Sequence, residues 1–186
     1  MRFLVHLILF FIPVKSLRKK YRNAIHNFVY GMPVRRKAKS IGKGLRVRGS
    51  SSVTSKTTIG DCVSLGGVEV YGGGKCTIGS YSHFGPEVLI LTQNHNYEGK
   101  TLPYDNTFSF KEVVIGEAVW IGSRVTILPG AQIGDGAIIQ AGAVVHGEIP
   151  SCAIAGGNPA KVFAWRDKEH FNDLKKAEKF YRKEDA

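Results

Sequence analysis

Residues 115–149 have the sequence IGEAVWIGSRVTILPGAQIGDGAIIQAGAVVHGEI, and this stretch decides the fold. An apolar residue recurs in it at every sixth position, and a small or β-branched residue follows four positions after each of the first five. The six apolar positions are Ile115, Ile121, Ile127, Ile133, Ile139 and Val145. A helix would repeat its apolar residues at spacings of three and four, and a half-buried strand would alternate. A period of six instead indicates a short strand followed by a turn, with the apolar side chain in a narrow core.

The same period is present nearer the N-terminus. Apolar residues six apart are Ile41, Val47, Val53, Ile59 and Leu65, followed in a shifted register by Ile78, Phe84 and Ile90. Between the two registers, residues 68–75 contain three consecutive glycines, which predicts a one-residue slip or a bulge at a corner. Three units make one coil of about 18 residues, and each coil hydrogen-bonds to the next. We expect coils over residues 41–58, 59–77, 78–95, 115–132 and 133–150.

This pattern resembles the hexapeptide-repeat family over residues 41–165. The resemblance implies an all-β fold, a left-handed parallel β-helix of about five coils with an extended loop, a short N-terminal helical segment and a C-terminal α-helix. The handedness comes from the resemblance, because general rules favour right-handed crossovers. The resemblance also implies a homotrimer with active sites between adjacent subunits.

Three regions follow from these patterns. Residues 1–40 form an apolar and basic N-terminal helical segment, and residues 41–165 form the β-helix domain with a loop at 92–113. Residues 166–186 form a C-terminal amphipathic helix, because apolar side chains recur there at spacings of three and four. We expect this helix to pack on the coils or on another subunit.

The loop begins where the period of six stops, and its first residues include His95. A long loop leaving a compact repeat is more often functional than incidental. The segment IGSYSHFGPEVLILTQNH resembles that of galactoside, maltose and polysaccharide acetyltransferases, in which a catalytic histidine stands at this place. The resemblance implies transfer of an acetyl group from acetyl-CoA to a sugar hydroxyl, with His95 as the general base that the weakly nucleophilic hydroxyl requires.

Neighbouring residues are candidates for acceptor binding, namely His83, Asn94 and Tyr97. A structural role at a corner is the alternative for His83. A carboxylate that orients the imidazole is expected from the family, and three residues near in sequence could supply it: Glu87, Glu98 and Asp105. A backbone carbonyl is the alternative.

Residues 156–162, GGNPAKV, resemble the G-N-P-A-K/R motif that closes the β-helix in these acetyltransferases. By this resemblance Asn158, Pro159 and Ala160 lie by the adenine end of CoA, and Lys161 contacts a CoA phosphate. The resemblance further implies that the CoA arm is lined by Gly122, Ser123, Ala141 and Gly142, with Trp120 at the thioester end. Subunit packing is the alternative for Trp120, and a solvated side chain is the alternative for Lys161.

The N-terminal third carries the positive charge of the chain. Residues 1–60 contain 14 of the 26 Lys and Arg and no acidic residue, whereas the whole chain has a net charge of +11. Residues 3–14 are almost wholly apolar and too short to span a bilayer. Residues 1–22 are therefore expected to contact an anionic membrane surface peripherally, on the inner face of the cytoplasmic membrane, in an otherwise cytoplasmic protein. Packing against the domain or a neighbouring subunit is the alternative. No nucleic-acid-binding motif accompanies the charge.

Functions other than acetyl transfer to a hydroxyl have less support in the residues. The three cysteines, Cys62, Cys76 and Cys152, have no zinc-site spacing, so we expect buried thiols and no metal. The zinc carbonic anhydrase of the same fold needs three histidines around one metal, two of them close together in a loop, and no such pair is present. N-acetylation of an amino sugar and a non-catalytic membrane-bound scaffold remain alternatives. The acceptor is expected to be a sugar or a precursor of a bacterial surface polysaccharide.

Overall fold

The computed structural model describes residues 15–181, and most of them form a stack of parallel coils. Each coil contributes short strands to three flat faces. Sheet A contains β1 (Ser40–Ile41), β3 (Thr57–Ile59), β6 (Cys76–Ile78), β11 (Val113–Ile115), β14 (Gln132–Ile133) and β17 (Glu148–Ile149). Sheet B contains β2 (Arg46–Val47), β4 (Ser64–Leu65), β7 (His83–Phe84), β12 (Trp120–Ile121), β15 (Ile138–Ile139), β18 (Ala153–Gly156) and β19 (Lys161–Trp165). Sheet C contains β5 (Val68–Tyr71), β8 (Val88–Leu91), β13 (Thr126–Ile127) and β16 (Val144–Val145).

The predicted period sets the register of the stack. Ile115 pairs with Ile133, Ile121 with Ile139, and Ile127 with Val145, each partner 18 positions further on. These side chains are buried and stack in columns inside the coils. The single apolar residue per turn therefore builds a continuous core without any second layer.

The predicted slip is present at the corner that follows β5. Ile59 pairs with Ile78, whereas Ile41 pairs with Ile59, so the coil that spans the three glycines is one residue longer than the coil before it. The Gly74 N–H donates to the Thr92 hydroxyl, which ties this corner to the next coil. The extra residue changes the register without interrupting the stack.

The structure has about six coils, and the predicted number of five is slightly low. The sixth coil begins at β17, where the buried Ile149 lies four positions after Val145 instead of six. Gly147 turns this corner with a φ of 66°, in the left-handed region that glycine adopts readily. A shortened corner of this kind falls outside a strict period of six.

The predicted loop contains a β-hairpin. Strand β9 (Gln93–His95) pairs antiparallel with β10 (Phe108–Phe110), and His95 lies opposite Phe108. The hairpin leaves the stack after β8 and rejoins it before β11. Periodicity could not predict it, because its residues belong to neither the core nor a corner.

Helix α1 (Lys15–Lys37) covers the first coil. Val34 is buried, and the Asn27 side chain accepts a hydrogen bond from the Val47 N–H at 2.8 Å. The helix thus shields the open end of the stack, whose edge would otherwise expose unpaired backbone groups. Residues 1–14 lie outside the described residues, so the expected membrane contact of 1–22 stays a prediction. Within residues 15–181, no helix combines the length and apolarity needed to cross a bilayer.

Helix α2 (Lys168–Lys176) is shorter than the expected amphipathic segment. Asp167 begins it by accepting a hydrogen bond from the His170 N–H at 2.9 Å. Glu178 ends it in the left-handed region, with bonds from the Glu178 and Lys179 N–H groups to the carbonyls of Lys175 and Leu174. This is the Schellman arrangement, which redirects the chain after the last turn.

Because the core is narrow, substitutions at two adjacent residues of β14 should have very different effects on the free energy of unfolding. Ile133→Ala should reduce the free energy of unfolding by about 2–5 kcal/mol, because the cavity it leaves interrupts a buried column. Gln132→Ala, on the exposed face of the same strand, should change it by less than about 0.5 kcal/mol. Urea unfolding at fixed protein concentration measures both, and equal losses would contradict the proposed role of the column.

Candidate active site

The four predicted CoA-lining residues lie in one column at the corner between sheets B and C. Gly122 and Ser123 form this corner in the fourth coil, and Ala141 and Gly142 form it in the fifth. The Gly142 N–H donates to the Ser123 carbonyl at 2.8 Å, so the two corners are stacked directly. The structure therefore brings together residues 19 positions apart in the sequence into a continuous edge with small side chains.

The two glycines of this column serve different purposes. A Cβ on Gly122 would lie 2.5 Å from the Ala141 backbone nitrogen, so the next coil excludes any side chain there. A Cβ on Gly142 would meet no atom within 4 Å, and the φ of this residue is 75°. Gly122 is thus required by coil stacking, whereas Gly142 leaves open space beside the backbone.

The GNPAK segment lies at the end of the same column. The Val144 N–H donates to the Gly157 carbonyl, and the Ala160 N–H donates to the Val144 carbonyl. Strand β19 then runs antiparallel to β18, with Lys161 opposite Gly156, which ends the parallel stack. Asn158 and Lys161 are exposed at this end, adjacent to the corner column.

His95 is exposed near the start of the hairpin and is held by aromatic rings. Its ring stacks on Tyr104, with centroids 3.9 Å apart and planes 19° apart, and lies 4.6 Å from the ring of Phe108. Asn94 and Tyr97 are exposed beside it. The sequence did not single out Tyr104 or Phe108, although the aromatic content of the loop was a signal for such contacts.

Two of the proposed orienting carboxylates are engaged elsewhere. Glu87 pairs with Arg124 at 2.8 Å, and Asp105 accepts bonds from Thr107 and the Lys100 N–H. These bonds lower the pKa of Asp105, first through Thr107. Within residues 15–181, no carboxylate forms a salt bridge or a hydrogen bond with the His95 ring. The aromatic rings alone position it within this part of the chain.

His83 lies on a different face from the other acceptor candidates. It is on β7 in sheet B, beside Trp120 of the next coil, whereas Asn94, His95 and Tyr97 lie beyond sheet C. The structure thus separates His83 from the hairpin of the same chain and places it with Trp120, which is 57% exposed. Among the described residues, no three His, Cys, Asp or Glu side chains are grouped so that they could hold a metal ion.

A charged network attaches helix α2 to the coils beside this face. The Lys175 Nζ lies 2.7 Å from carboxylate oxygens of both Glu117 and Asp135. Burial favours the neutral form of Asp135, but hydrogen bonds from Lys175 and from the Glu117 N–H outweigh it and lower its pKa. The hydrogen bonds that Lys175 donates to Asp135 and Glu117 raise the pKa of Lys175.

Sequence relatives match most of the β-helix. The bacterial transferase hexapeptide (six repeats) family matches residues 112–147. WbbJ of Escherichia coli (strain K12), which bears the name of a lipopolysaccharide biosynthesis O-acetyl transferase, is 33% identical over 133 residues, 65% of each chain. WcaF of the same strain, which bears the name of a colanic acid biosynthesis acetyltransferase, is 33% identical over 68% of this chain and 69% of its own. The chain therefore belongs to the hexapeptide-repeat transferase family, in its acetyltransferase branch, and spans about two thirds of these relatives.

A solved structure shows the same fold. The hexapeptide-repeat acetyltransferase VCA0836 of Vibrio cholerae O1 biovar eltor, complexed with acetyl-CoA, matches with a TM-score of 0.62. The match covers 87% of this chain and 82% of that chain at 22% identity. The expected left-handed parallel β-helix is confirmed by this likeness.

The charged network predicts a pH-dependent contribution to stability. Since the pKa of Asp135 is lowered on folding, its contribution is complete above its ordinary value of 3.8 and is lost as the pH falls through the lowered value. Since the pKa of Lys175 is raised, its contribution is complete below 10.5 and is lost as the pH rises through the raised value. Lys175→Met should therefore cost about 0.5–1 kcal/mol between pH 5 and 9, and less below pH 4.

Urea unfolding of both proteins across this pH range measures the difference. Lys176→Met removes the same charge from an exposed neighbouring position and should have little effect. A Lys175→Met cost that is unchanged at pH 3 would contradict the ionic origin of the attachment.

Proposed function

We propose that the protein transfers an acetyl group from acetyl-CoA to a sugar hydroxyl in the synthesis of a bacterial surface polysaccharide. The observation that carries this proposal is the exposed His95 ring at a hairpin that interrupts an acetyltransferase β-helix. Both relatives with 33% identity are named as acetyltransferases of surface polysaccharide synthesis, which supports the acceptor class. Asn94 and Tyr97, exposed beside His95, are the proposed acceptor contacts.

In the proposed reaction, His95 removes the proton of the sugar hydroxyl as the hydroxyl oxygen attacks the thioester carbon. The tetrahedral intermediate then collapses with loss of the CoA sulfur, which recovers the proton from His95. A base of this kind contributes about 10²–10⁴-fold to the rate. The developing oxyanion requires a hydrogen-bond donor such as a backbone N–H.

The site is proposed to be assembled from two copies in a homotrimer. Within one chain, the corner column lies at the start of β8, and His95 lies beyond its other end, across sheet C. His95 lies eight positions after Glu87, which is well over 10 Å of mostly extended chain at about 3.3 Å per residue. A hairpin from one copy placed against the column of a second copy brings the base and the thioester together.

Acetyl-CoA is proposed to lie along the corner column, with its adenine end at the GNPAK turn. Gly142 leaves open space beside the backbone, and Ser123, Ala141, Pro159 and Ala160 continue the same edge. Trp120 stands beside the column on sheet B and closes the thioester end. Lys161, exposed at the end of the column, provides a charge for a CoA phosphate.

The N-terminal region is proposed to hold the enzyme at the inner face of the cytoplasmic membrane. Beyond the apolar residues 3–14, helix α1 exposes Tyr21, Phe28 and Met32 and has three basic residues in its last turn. Apolar side chains combined with basic ones suit the interface of an anionic membrane. Such a location places the enzyme beside lipid-linked polysaccharide precursors.

Replacement of the proposed base tests the function directly. His95→Gln should lower kcat/KM for acetyl transfer by about 10²–10⁴-fold, because the hydroxyl loses its proton acceptor. The measurement is release of the CoA thiol with a panel of polysaccharide precursor sugars. His146→Gln changes an exposed histidine outside the proposed site and should retain wild-type turnover.

Three outcomes of this assay would contradict the proposal at different points. Full turnover by His95→Gln would exclude the assigned base. Activity confined to amino sugars would indicate N-acetylation. Absence of both acetyl-CoA binding and turnover with every sugar would indicate a scaffold without chemistry.

The assignment of Lys161 predicts a substrate-specific effect. Lys161→Ala should raise the KM for acetyl-CoA about tenfold or more, since a charge-assisted phosphate contact contributes about 1.5–3 kcal/mol. It should have much less effect on acetyl-dephospho-CoA, which lacks the 3′-phosphate. Steady-state kinetics with both donors measure this difference, and an equal change for the two would show that Lys161 does not contact that phosphate.

A further inference from the structure

The C-terminal segment returns along the corner between sheets A and B, on the other side of sheet B from the CoA column. Arg166 bonds to the sixth coil through its N–H and the Cys152 carbonyl, and the Phe171 ring lies against Gly136 of the fifth coil. Phe180 then stacks on Tyr81 of the third coil, with ring centroids 4.1 Å apart. The segment therefore runs back from the sixth coil to the third and ends beside His83, whose ring lies 5.5 Å from that of Tyr181.

This segment borders a solvent-open cavity of about 300 Å³ on the face that carries His83 and Trp120. That volume is at the lower end of small-molecule sites. Trp120 and Tyr181 supply aromatic walls, and Arg166 and Lys179 supply positive charge. Aromatic faces suit the apolar C–H surface of a sugar ring, and the cations suit an anion.

The positive charge in this cavity is not balanced by the described residues. Lys175 also lines the cavity, but Glu117 and Asp135 neutralise it. Within residues 15–181, the exposed Lys179 has no ion pair. The Arg166 guanidinium lies 6.0 Å from the centroid of the Phe171 ring, and its buried Nε has no hydrogen-bond partner among these residues. Burial of the Arg166 Nε without a hydrogen-bond partner is unfavourable, so an anionic group in the cavity that accepts from it would stabilise the guanidinium.

The cavity and the CoA column are neighbours on the same coil. Ala118, Val119 and Trp120 line the cavity, and Ser123 belongs to the column only three residues further on. Three residues correspond to about 10 Å of extended chain. Trp120 therefore borders both spaces, so an acceptor bound in the cavity would meet the proposed thioester at the Trp120 edge.

We infer that this cavity binds the acceptor as a sugar phosphate, and this inference rests on the proposed function. The sugar ring lies against Trp120 and Tyr181, and its phosphate is bound by Arg166 and Lys179. An anionic group on the acceptor would accept a hydrogen bond from the unpartnered Arg166 Nε and pair with the exposed Lys179, beside the face that carries Trp120. Neutral free sugars and polymer interiors lack the group that these cations require.

Calorimetric titration with hexose 1-phosphates, matching methyl glycosides and inorganic phosphate tests the inference on the full-length protein. At least one hexose 1-phosphate should bind at least tenfold more tightly than its methyl glycoside and than inorganic phosphate. Lys179→Gln and Arg166→Gln should each weaken this binding about tenfold or more. Lys179→Arg, which keeps the charge, should retain most of it.

Lys176→Gln is the matched control, because it removes one charge from an exposed position of α2 outside the cavity. It should bind the hexose 1-phosphate within twofold of the unaltered protein. The inference is overturned if no hexose 1-phosphate binds, if the methyl glycoside binds equally well, or if Lys179→Gln binds like the unaltered protein. An unchanged melting temperature of Lys179→Gln excludes loss of fold as the cause of weaker binding.

Thiol release from acetyl-CoA in the same variants separates this inference from the proposed function. Turnover of neutral sugars with a KM that Lys179→Gln leaves unchanged would support acetyl transfer and refute the phosphate subsite. Binding of a hexose 1-phosphate that depends on Lys179, without thiol release from any acceptor, would support the subsite and refute acetyl transfer.

Discussion

The hydrogen bonds between successive coils are the constraint on which this structure depends. Each corner and strand donates to the equivalent position of a neighbouring coil, as the Gly122 N–H does to the Ile139 carbonyl. Equivalent positions must therefore stack in straight columns. Inside, the columns are apolar and buried. At the A–B corner they hold left-handed residues, among them Tyr81, Ala118 and Gly136. The period of six in the sequence results from this stacking of equivalent positions.

The proposed catalytic and CoA-binding residues lie where the stack of coils is interrupted or exposed. The columns supply uniform edges, such as the small-residue corner from Gly122 to Gly142, which suit an extended ligand but contain no general base. The proposed base comes from an insertion, since His95 lies in the hairpin that separates β8 from β11. The antiparallel strand β19 ends the stack and places Lys161 at the end of the same corner. The proposed site thus combines the regular corner column with two departures from the stack, the hairpin that carries His95 and the antiparallel strand β19.

Stacking also explains what the sequence could and could not predict. The core columns were predictable, because Ile115 to Val145 each occupy one interior position per turn. The sixth coil was missed because Gly147 shortens a corner and breaks the count. The resemblance of the GNPAK segment predicted the end of the stack, which the structure confirms through β19. The amphipathic pattern of α2 predicted an apolar face, but not which of the three outer faces of the β-helix it packs against. The contacts of Lys175 and Phe171 fix that position. The grouping of His83 with Trp120, away from His95, depends on which face of a coil each occupies.

The environment of His95 supports the proposal that a second copy completes the site. A carboxylate bonded to an imidazole selects the nitrogen that carries the proton, whereas stacked rings such as Tyr104 and Phe108 restrain the plane of the ring and leave the tautomer open. A general base needs its unprotonated nitrogen directed at the hydroxyl. Since the described part of the chain supplies no bonded carboxylate, the tautomer must be selected by the acceptor, by solvent or by the face of another copy. The same second copy would supply the column and the Trp120 face that His95 does not reach in its own chain. Base orientation and donor binding therefore both support the proposed assembly from two copies.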